Sequence, residues 1–403
     1  MESLKINKIN KTVNGTIQIT GSKSETNRLL ILQQFYPNLT IENTSNSDDS
    51  VLMQKALKSN SSEINIGHAG TAMRFLTAYF SVKEGSEIVL TGSHRMKDRP
   101  IKILVEALTS LGANIQYLEK EGFPPLKISG KKLTKDYVEI EGNVSSQYIS
   151  AMLLIAPTLQ NGLKLKFKGE VTSVPYIKMT LQLLAELGID SIWEANLITV
   201  KPKPAIEKKT VTVESDWSSA SYFYSLCALS PNSEITLSSY KKNSLQGDSA
   251  LAIIYENLGV STKFNENIIV LKNQQSLNIK PLTLNLINAP DIAQTIAVTC
   301  FGLGIECYLT GLHTLKIKET NRLVALKTEL EKLGGEVIIT DETLRLKSAA
   351  NINENIRIAT YDDHRMAMAF APLAVKVAIE IEDAGVVSKS YPTFWEDFAQ
   401  ISR

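Results

Sequence analysis

The sequence predicts an α/β fold in which one βαβαββ unit is repeated about six times with some of its helices buried, and three observations lead there. Apolar runs with a polar entry begin at Gly21-Ser22-Lys23-Ser24-Glu25-Thr26-Asn27-Arg28 and again at 68–74, 144–148, 215–220, 289–294 and 361–365. Counted from Thr71 through Ser146, Ser219, Ile292 and His364, they recur in steps of 75, 73, 73 and 72 residues. A second marker, Leu-Gly closing an amphipathic run, falls at Gly112, Gly188, Gly259 and Gly334, and two markers that keep one period mean an internal repeat. Third, the runs 149–156 and 293–300 have no polar face and belong in the interior, whereas 177–187 and 325–333 alternate apolar and charged residues and belong nearer the surface.

Taken in order, the chain opens with an alternating strand at 16–20 and a helix whose first turn offers Ser24 as N-cap. The second unit reads as a helix over 71–82, a strand over 87–91, a polar loop over 93–99, a helix from about 101 to 111, and strands at 114–118 and 126–129. The glycine after each closing Leu is a helix C-cap. Ser24 and Thr71 are only 47 residues apart, so the first unit is expected to lack a strand pair. Six units divide naturally into three and three, with a seam near 201–209 where proline and charge interrupt the pattern. The strand before Gly21 could pair with either half. In every unit the polar residues sit where a strand hands over to a buried helix, so the helix N-termini of one half should emerge at one end, and two such halves facing a cleft would trap a multiply anionic ligand.

Charge and cysteine content narrow the function. Lys and Arg number 43 against 42 Asp and Glu, so nothing draws the chain to nucleic acid or an anionic membrane, and anion specificity must be local. Cys227, Cys300 and Cys307 lie in apolar runs without ligand spacing, as expected of a reduced, cytoplasmic protein. The N-terminus has no apolar core of a secretion signal and no run reaches the length of a membrane span. No GxxxxGK[ST], GxGxxG or His/Cys cluster appears, so neither a metal nor another cofactor is expected.

The cations at helix entries are Lys23, Arg28, Arg74 and Arg365, and the second loops add Arg95, Lys97, Arg99, Lys316, Lys318, Arg322 and Lys389. This is more positive charge than one phosphate requires, and two anionic substrates are expected. Asp291 and Glu319 sit among them as possible general bases, although Asp291 also suits an N-cap after Pro290 and Glu319 a first helical turn. His364 could be a base or a cap, and Gly70 at a helix entry would let a ligand approach the backbone.

These residues together resemble the enolpyruvyl transferase family, and within it the branch that acts on shikimate 3-phosphate. The resemblance is carried by Gly21-Ser-Lys-Ser24 with Asn27-Arg28, Ala69-Gly-Thr-Ala-Met-Arg74, Arg95-Met-Lys-Asp-Arg-Pro100, Val144-Ser-Ser-Gln147, Lys318-Glu-Thr-Asn-Arg322 and Asp363-His-Arg-Met-Ala-Met368, in order along nearly the whole chain. It implies two similar domains of three βαβαββ units each, an inverse α/β barrel or α-β prism and not a Rossmann fold. One domain would hold 1–19 plus 215–403 and the other 20–214, with the active site in the cleft between them. It implies further that Lys23, Gly70, Arg95, Gln147, Arg322, Arg365 and Lys389 hold phosphoenolpyruvate. Lys23, Ser24, Arg28, Ser145, Ser146, Gln147, Ser173, Tyr176, Asp291 and Lys318 would hold shikimate 3-phosphate. Asp291 would accept the proton of the attacking hydroxyl, and Glu319 with Lys23 would manage the proton at C3. The partners would be these two small molecules, with a monomeric chain and neither nucleic acid nor membrane.

Three positions depart from the family pattern: His68 stands where Asn is usual, Val174 where Lys is usual, and Thr314 where Asn is frequent. With Gly70 present, glyphosate is expected to compete at the site, an effect that Phe75 near the same turn could weaken. The UDP-N-acetylglucosamine branch of the family typically carries a reactive Cys in a basic loop, and no Cys occupies a polar loop here. A non-catalytic binder of phosphorylated ligands or RNA ends is the remaining alternative, and the lack of interleaved basic and aromatic residues counts against it.

Overall fold

The computed structural model describes residues 3–172, 174–274, 280–348 and 351–402. They form two compact units, Met1–Thr20 with Glu214–Arg403, and Gly21–Val213.

Four sheets repeat one topology. In the continuous unit, Glu63–Asn65 runs parallel to Glu87–Thr91, which pairs antiparallel with Leu126–Ser129, itself antiparallel to Asn114–Tyr117. Tyr137–Glu141, Leu163–Lys168, Leu197–Val200 and Ser191–Glu194 copy that order. In the discontinuous unit it recurs as Asn14–Ile17, Glu234–Ser238, Ile268–Asn273 and Val260–Asn265, and as Leu282–Asn285, Cys307–Thr310, Leu344–Lys347 and Glu336–Ile339. In three of these sheets the parallel pair is joined through a helix, as a parallel crossover requires, whereas Asn14–Ile17 and Glu234–Ser238 are separated by the whole continuous unit; the antiparallel pair can leave one face to solvent. Leu163–Lys168 shows the result: Leu163, Leu165 and Phe167 are buried while the lysines between them are exposed.

The two remaining units are short. Leu39–Glu42 pairs in parallel only with Lys209–Thr212, so the first unit lacks the expected strand pair. The last unit is also cut short, which the sequence spacing does not reveal: Ile356–Ile358 runs parallel to Ile379–Ile381, and a third strand, Leu4–Ile6, comes antiparallel from the other end of the chain. The N-terminal strands thus pair with the discontinuous unit, an assignment the repeat leaves open. Residues 201–208 lead to the strand Lys209–Thr212, and the unit ends after them at Val213.

Each unit has an inner trio of helices that touch one another. These are Lys23–Phe35, Gly70–Val82 and Ser146–Ile155 in one unit, and Trp217–Leu229, Ala293–Leu303 and His364–Phe370 in the other. Every residue of His364–Phe370 is buried, as are Ala293 to Gly302, so the lack of a polar face reads correctly as an interior position. Their hydroxyls are satisfied inside the trio: Thr77 donates to the Met73 carbonyl at 2.7 Å, and Ser221 and Thr295 bond across two helices at 3.0 Å. The outer helices Lys102–Ser110, Val174–Glu186 and Arg322–Lys332 keep a charged or polar side to solvent. Gly112, Gly188, Gly259 and Gly334 all have left-handed backbone, with φ of 108°, 71°, 83° and 98°, and they close the outer helices of four units.

The first helix begins at Lys23, so Ser24 is not its N-cap. Ser22 takes that position without a side-chain cap bond, and the Ser22 carbonyl accepts the Thr26 N–H at 2.9 Å. The preceding turn leaves no room for a side chain at position 21, where a Cβ would lie 1.9 Å from the Asn43 carbonyl oxygen.

Candidate active site

Within each unit the inner helices present their N-termini together, and both families of sequence-predicted residues lie there. In the continuous unit Lys23 and Ser24 occupy the first turn of Lys23–Phe35. Arg28, one turn on, is buried and ties three helices: Nε donates to Thr180 Oγ1 at 2.8 Å, Nη2 to Ser150 Oγ at 2.9 Å and to the Tyr176 carbonyl at 3.3 Å, and Nη1 to the Ser24 carbonyl at 2.7 Å. Burial pulls its guanidinium down to about 10, with partial compensation from Tyr176 and Glu25. Ser145 caps Ser146–Ile155 by accepting from the Gln147 N–H, and Gln147 Nε2 reaches Thr71 Oγ1 at 3.3 Å, joining the first turns of two inner helices. Arg95 is exposed on the short helix His94–Lys97. Ser173 lies outside the described residues.

Gly70 begins Gly70–Val82 with no side-chain cap. What approaches its backbone is Arg99, whose Nη1 would lie 2.5 Å from a Cβ at Gly70. Arg74 is buried beside it, donating to the carbonyls of Gly70 at 3.1 Å and Pro100 at 2.9 Å, with its charge 5.9 Å from the Tyr148 ring. Burial, and then Arg99, draws Arg74 down to about 10. Phe75 is buried, with the Arg28 guanidinium 5.4 Å from its ring. His68 replaces the usual Asn with a half-exposed ring whose Nε2 is 3.7 Å from Asp48 Oδ2. Val174 opens its helix, and Thr314 sits in the 3-10 turn His313–Ile317.

The discontinuous unit gathers a tighter cluster around Arg322, which is 2 % exposed. Arg322 Nη1 donates to Asp291 Oδ1 at 2.9 Å, Nη2 to Glu319 Oε2 at 2.8 Å and Nε to Asp363 Oδ2 at 2.7 Å. Arg365 Nη2 is 3.3 Å from Asp291 Oδ2, and Lys318 Nζ is 3.5 Å from Asp291 Oδ1. Burial disfavours the charge on Arg322, yet Asp363, Glu319 and Asp291 outweigh it and hold the pKa above the ordinary arginine value. Arg365 is held up in the same way against its burial, chiefly by Asp291. Lys389 Nζ donates to the Asp362 carbonyl at 2.6 Å.

Several local assignments follow from these contacts. Asp291 lies in a 3-10 turn, Pro290–Ile292, and turns its carboxylate to three cations. Glu319 precedes its helix, whose N-cap is Asn321, and so is not a first-turn residue. Asp363 and not His364 caps the last inner helix, accepting from the Arg365 N–H at 2.9 Å, while His364 is buried behind it. Asp363, Ser218 and Asp248 are polar residues of these clusters to which sequence reasoning gave no role. Asp363 could have been found from its place at the head of a quoted motif, whereas Asp248 sits in an unmarked turn, Gly247–Ala250. Among the described residues no group of His, Cys, Asp and Glu could hold a metal ion, and no helix is long and apolar enough to cross a membrane.

The chain has close relatives. A family model described as EPSP synthase (3-phosphoshikimate 1-carboxyvinyltransferase) matches residues 38–398. A 3-phosphoshikimate 1-carboxyvinyltransferase of Bacteroides fragilis is 46 % identical over 390 residues, covering 96 % of this chain and 94 % of the relative. One from Histophilus somni is 35 % identical, with both chains covered completely. An EPSP synthase structure from Acinetobacter baumannii superposes with a TM-score of 0.82 at 20 % identity, covering 100 % of this chain and 98 % of that one, and shares the fold. With the repeated units, the paired helix N-termini and the charge clusters in place, these matches show that the chain belongs to the EPSP synthase (3-phosphoshikimate 1-carboxyvinyltransferase) family.

Proposed function

We infer that the chain transfers the enolpyruvyl group of phosphoenolpyruvate to the 5-hydroxyl of shikimate 3-phosphate, releasing phosphate, in the shikimate pathway of aromatic amino acid biosynthesis. The observation that carries this reading is Asp291, a carboxylate 15 % exposed, with one oxygen on Arg322 and Lys318 and the other on Arg365. Its partners are groups that anionic substrates can engage, which would leave the carboxylate placed to accept a proton from the attacking hydroxyl.

In this reading Lys23, Gly70, Arg95, Gln147, Arg322, Arg365 and Lys389 hold phosphoenolpyruvate. Lys23, Ser24, Arg28, Ser145, Ser146, Gln147, Ser173 and Tyr176, with Asp291 and Lys318, hold shikimate 3-phosphate. The 5-hydroxyl oxygen bonds to C2 of phosphoenolpyruvate and gives its proton to Asp291, while C3 gains a proton through Glu319 and Lys23. Loss of a C3 proton and cleavage of the C2–O bond to phosphate complete the exchange. Arg28 already spends donors on Ser24, Ser150, Thr180 and the Tyr176 carbonyl, so its part is to fix the ends of three helices as well as to supply charge.

Phosphate release from purified chain with shikimate 3-phosphate and phosphoenolpyruvate tests the reading. UDP-N-acetylglucosamine in place of shikimate 3-phosphate should give no phosphate, since Cys227, Cys300 and Cys307 are all buried and no thiol stands in a loop. Release with the sugar nucleotide alone would overturn the assignment. Glyphosate should compete with phosphoenolpyruvate, because position 70 is glycine; turnover unchanged in excess glyphosate would refute that expectation.

A further inference from the structure

Behind Asp291 lies a second carboxylate with no part in the scheme above. Asp248, in the turn Gly247–Ala250, is 5 % exposed and accepts a hydrogen bond from Ser218 Oγ. The same Ser218 oxygen accepts from Arg365 Nη2 at 3.3 Å, and that nitrogen also stands 3.3 Å from Asp291 Oδ2. A chain of contacts therefore runs from Asp248 through the Ser218 hydroxyl to Arg365 and on to Asp291. Ser218 lies in the first turn of Trp217–Leu229 and Arg365 in that of His364–Phe370, so the chain also joins two inner helices.

We propose that Asp248 is a positioning residue for the enolpyruvyl transfer: through Ser218 it fixes the Arg365 guanidinium beside Asp291, ready for the carboxylate of phosphoenolpyruvate. The inference rests on the proposed activity. A serine hydroxyl has one proton. Given to Asp248, that proton leaves the oxygen lone pairs facing Arg365, so the serine can only accept there. Without an acceptor behind it, Ser218 is free to rotate and Arg365 is left with the alternative of closing fully onto Asp291, where it would compete with substrate. Burial, together with the like charges of Asp291 and Asp216 and against the opposing pull of Arg365 and Ser218, pushes the Asp248 carboxyl up to about 7. The acceptor is therefore at full charge only above neutrality.

Steady-state kinetics of wild type, Asp248→Asn, Ser218→Ala and the double variant, from pH 5.5 to 9, test the assignment. Each single variant should lose about tenfold in kcat/KM for phosphoenolpyruvate at pH 8, mostly through KM, as expected for one charge-assisted bond. The double variant should be no worse than the poorer single one. The wild-type profile should fall below about pH 7, and Asp248→Asn should lack that limb. Additive losses, wild-type KM in either single variant, or an unchanged acid limb in Asp248→Asn would overturn the proposal. Wild-type turnover is the separate arm that tests the activity itself. Urea unfolding of the same four proteins at pH 8 reads the Asp248–Ser218 coupling without any substrate, and independent effects there would equally sink it.

Discussion

In the proposed mechanism Asp291 is the residue on which the chemistry turns, because its neighbours are cations that substrates can claim. Replacing it with alanine removes the proton acceptor but leaves the helix N-termini and Ser145, Ser146 and Tyr176 untouched. Asp291→Ala is therefore expected to bind shikimate 3-phosphate, measured by calorimetry, while turning over about 10² to 10⁴ more slowly, the range for a lost proton-transfer group. Wild-type turnover would remove Asp291 from the mechanism. Asp248 has a separate signature in stability. Its carboxyl is raised to about 7 in the fold, so between the ordinary aspartate range and pH 7 the folded chain holds a proton that the unfolded chain has released, and stability drops as pH rises through that window. Asp248→Asn cannot ionise, and it should exceed wild type by about 2 kcal/mol at pH 8 and match it near pH 4, read by urea unfolding; the full shift is not recovered because the bond from Ser218 weakens.

At the scale of elements, the repeat was legible because each unit needs the same two signals. A helix packed on all sides must be apolar throughout, and an outer helix turning into a strand must stop in a left-handed residue. Gly188→Ala should therefore cost about 1 to 2 kcal/mol of stability, the penalty for a Cβ at positive φ, with turnover unchanged, since nothing but the distant Lys203 Nζ approaches that position. A loss much larger than this would mean that the glycine serves packing as well. What the sequence hid follows from the same logic. Ser24 looked like a cap because it is the residue type that caps, but Ser22 stands in the extended geometry before the helix and the first turn begins at Lys23. Asp363 and Asp248 could not be ranked by type alone, since their meaning comes from side chains dozens of residues away: the Arg322 to Asp363 bond spans 41 positions and the Ser218 to Asp248 bond 30. Periodicity reports which face of an element is buried; it does not report which buried cation waits behind a carboxylate.

For the molecule as a whole, the balance of charge is local in the way the composition demanded. Around Arg322 the cations Lys318, Arg322 and Arg365 are met by Asp291, Glu319 and Asp363, whereas Lys23, Arg28, Arg74, Arg95 and Arg99 in the other unit include two arginines, Arg28 and Arg74, pulled down by burial and, for Arg74, by Arg99 as well. The thiols show the interior's exclusion of water. Cys227 is pushed up to about 12 by burial, and Cys300 is raised well above the ordinary thiol value by its hydrogen bond with Cys307 and by burial. All three should ignore a thiol reagent at pH 8 in the native protein and react together once urea unfolds it; rapid labelling of the folded chain would show that an inner helix opens readily.

The strands Leu4–Ile6 and Asn14–Ile17 precede the continuous unit along the chain, yet their neighbours in the sheets, Ile379–Ile381 and Glu234–Ser238, follow it. Gln400 even donates to the Thr16 carbonyl across 384 positions. During synthesis the continuous unit can close on itself as soon as Val213 is made, while Asn14–Ile17 must wait for Glu234–Ser238 and Leu4–Ile6 for Ile379–Ile381. Until then the apolar side chains of this segment, Leu4, Ile6 and Ile17 among them, are a temporary hazard for the nascent polypeptide, and closure of so long a loop carries a large entropic cost.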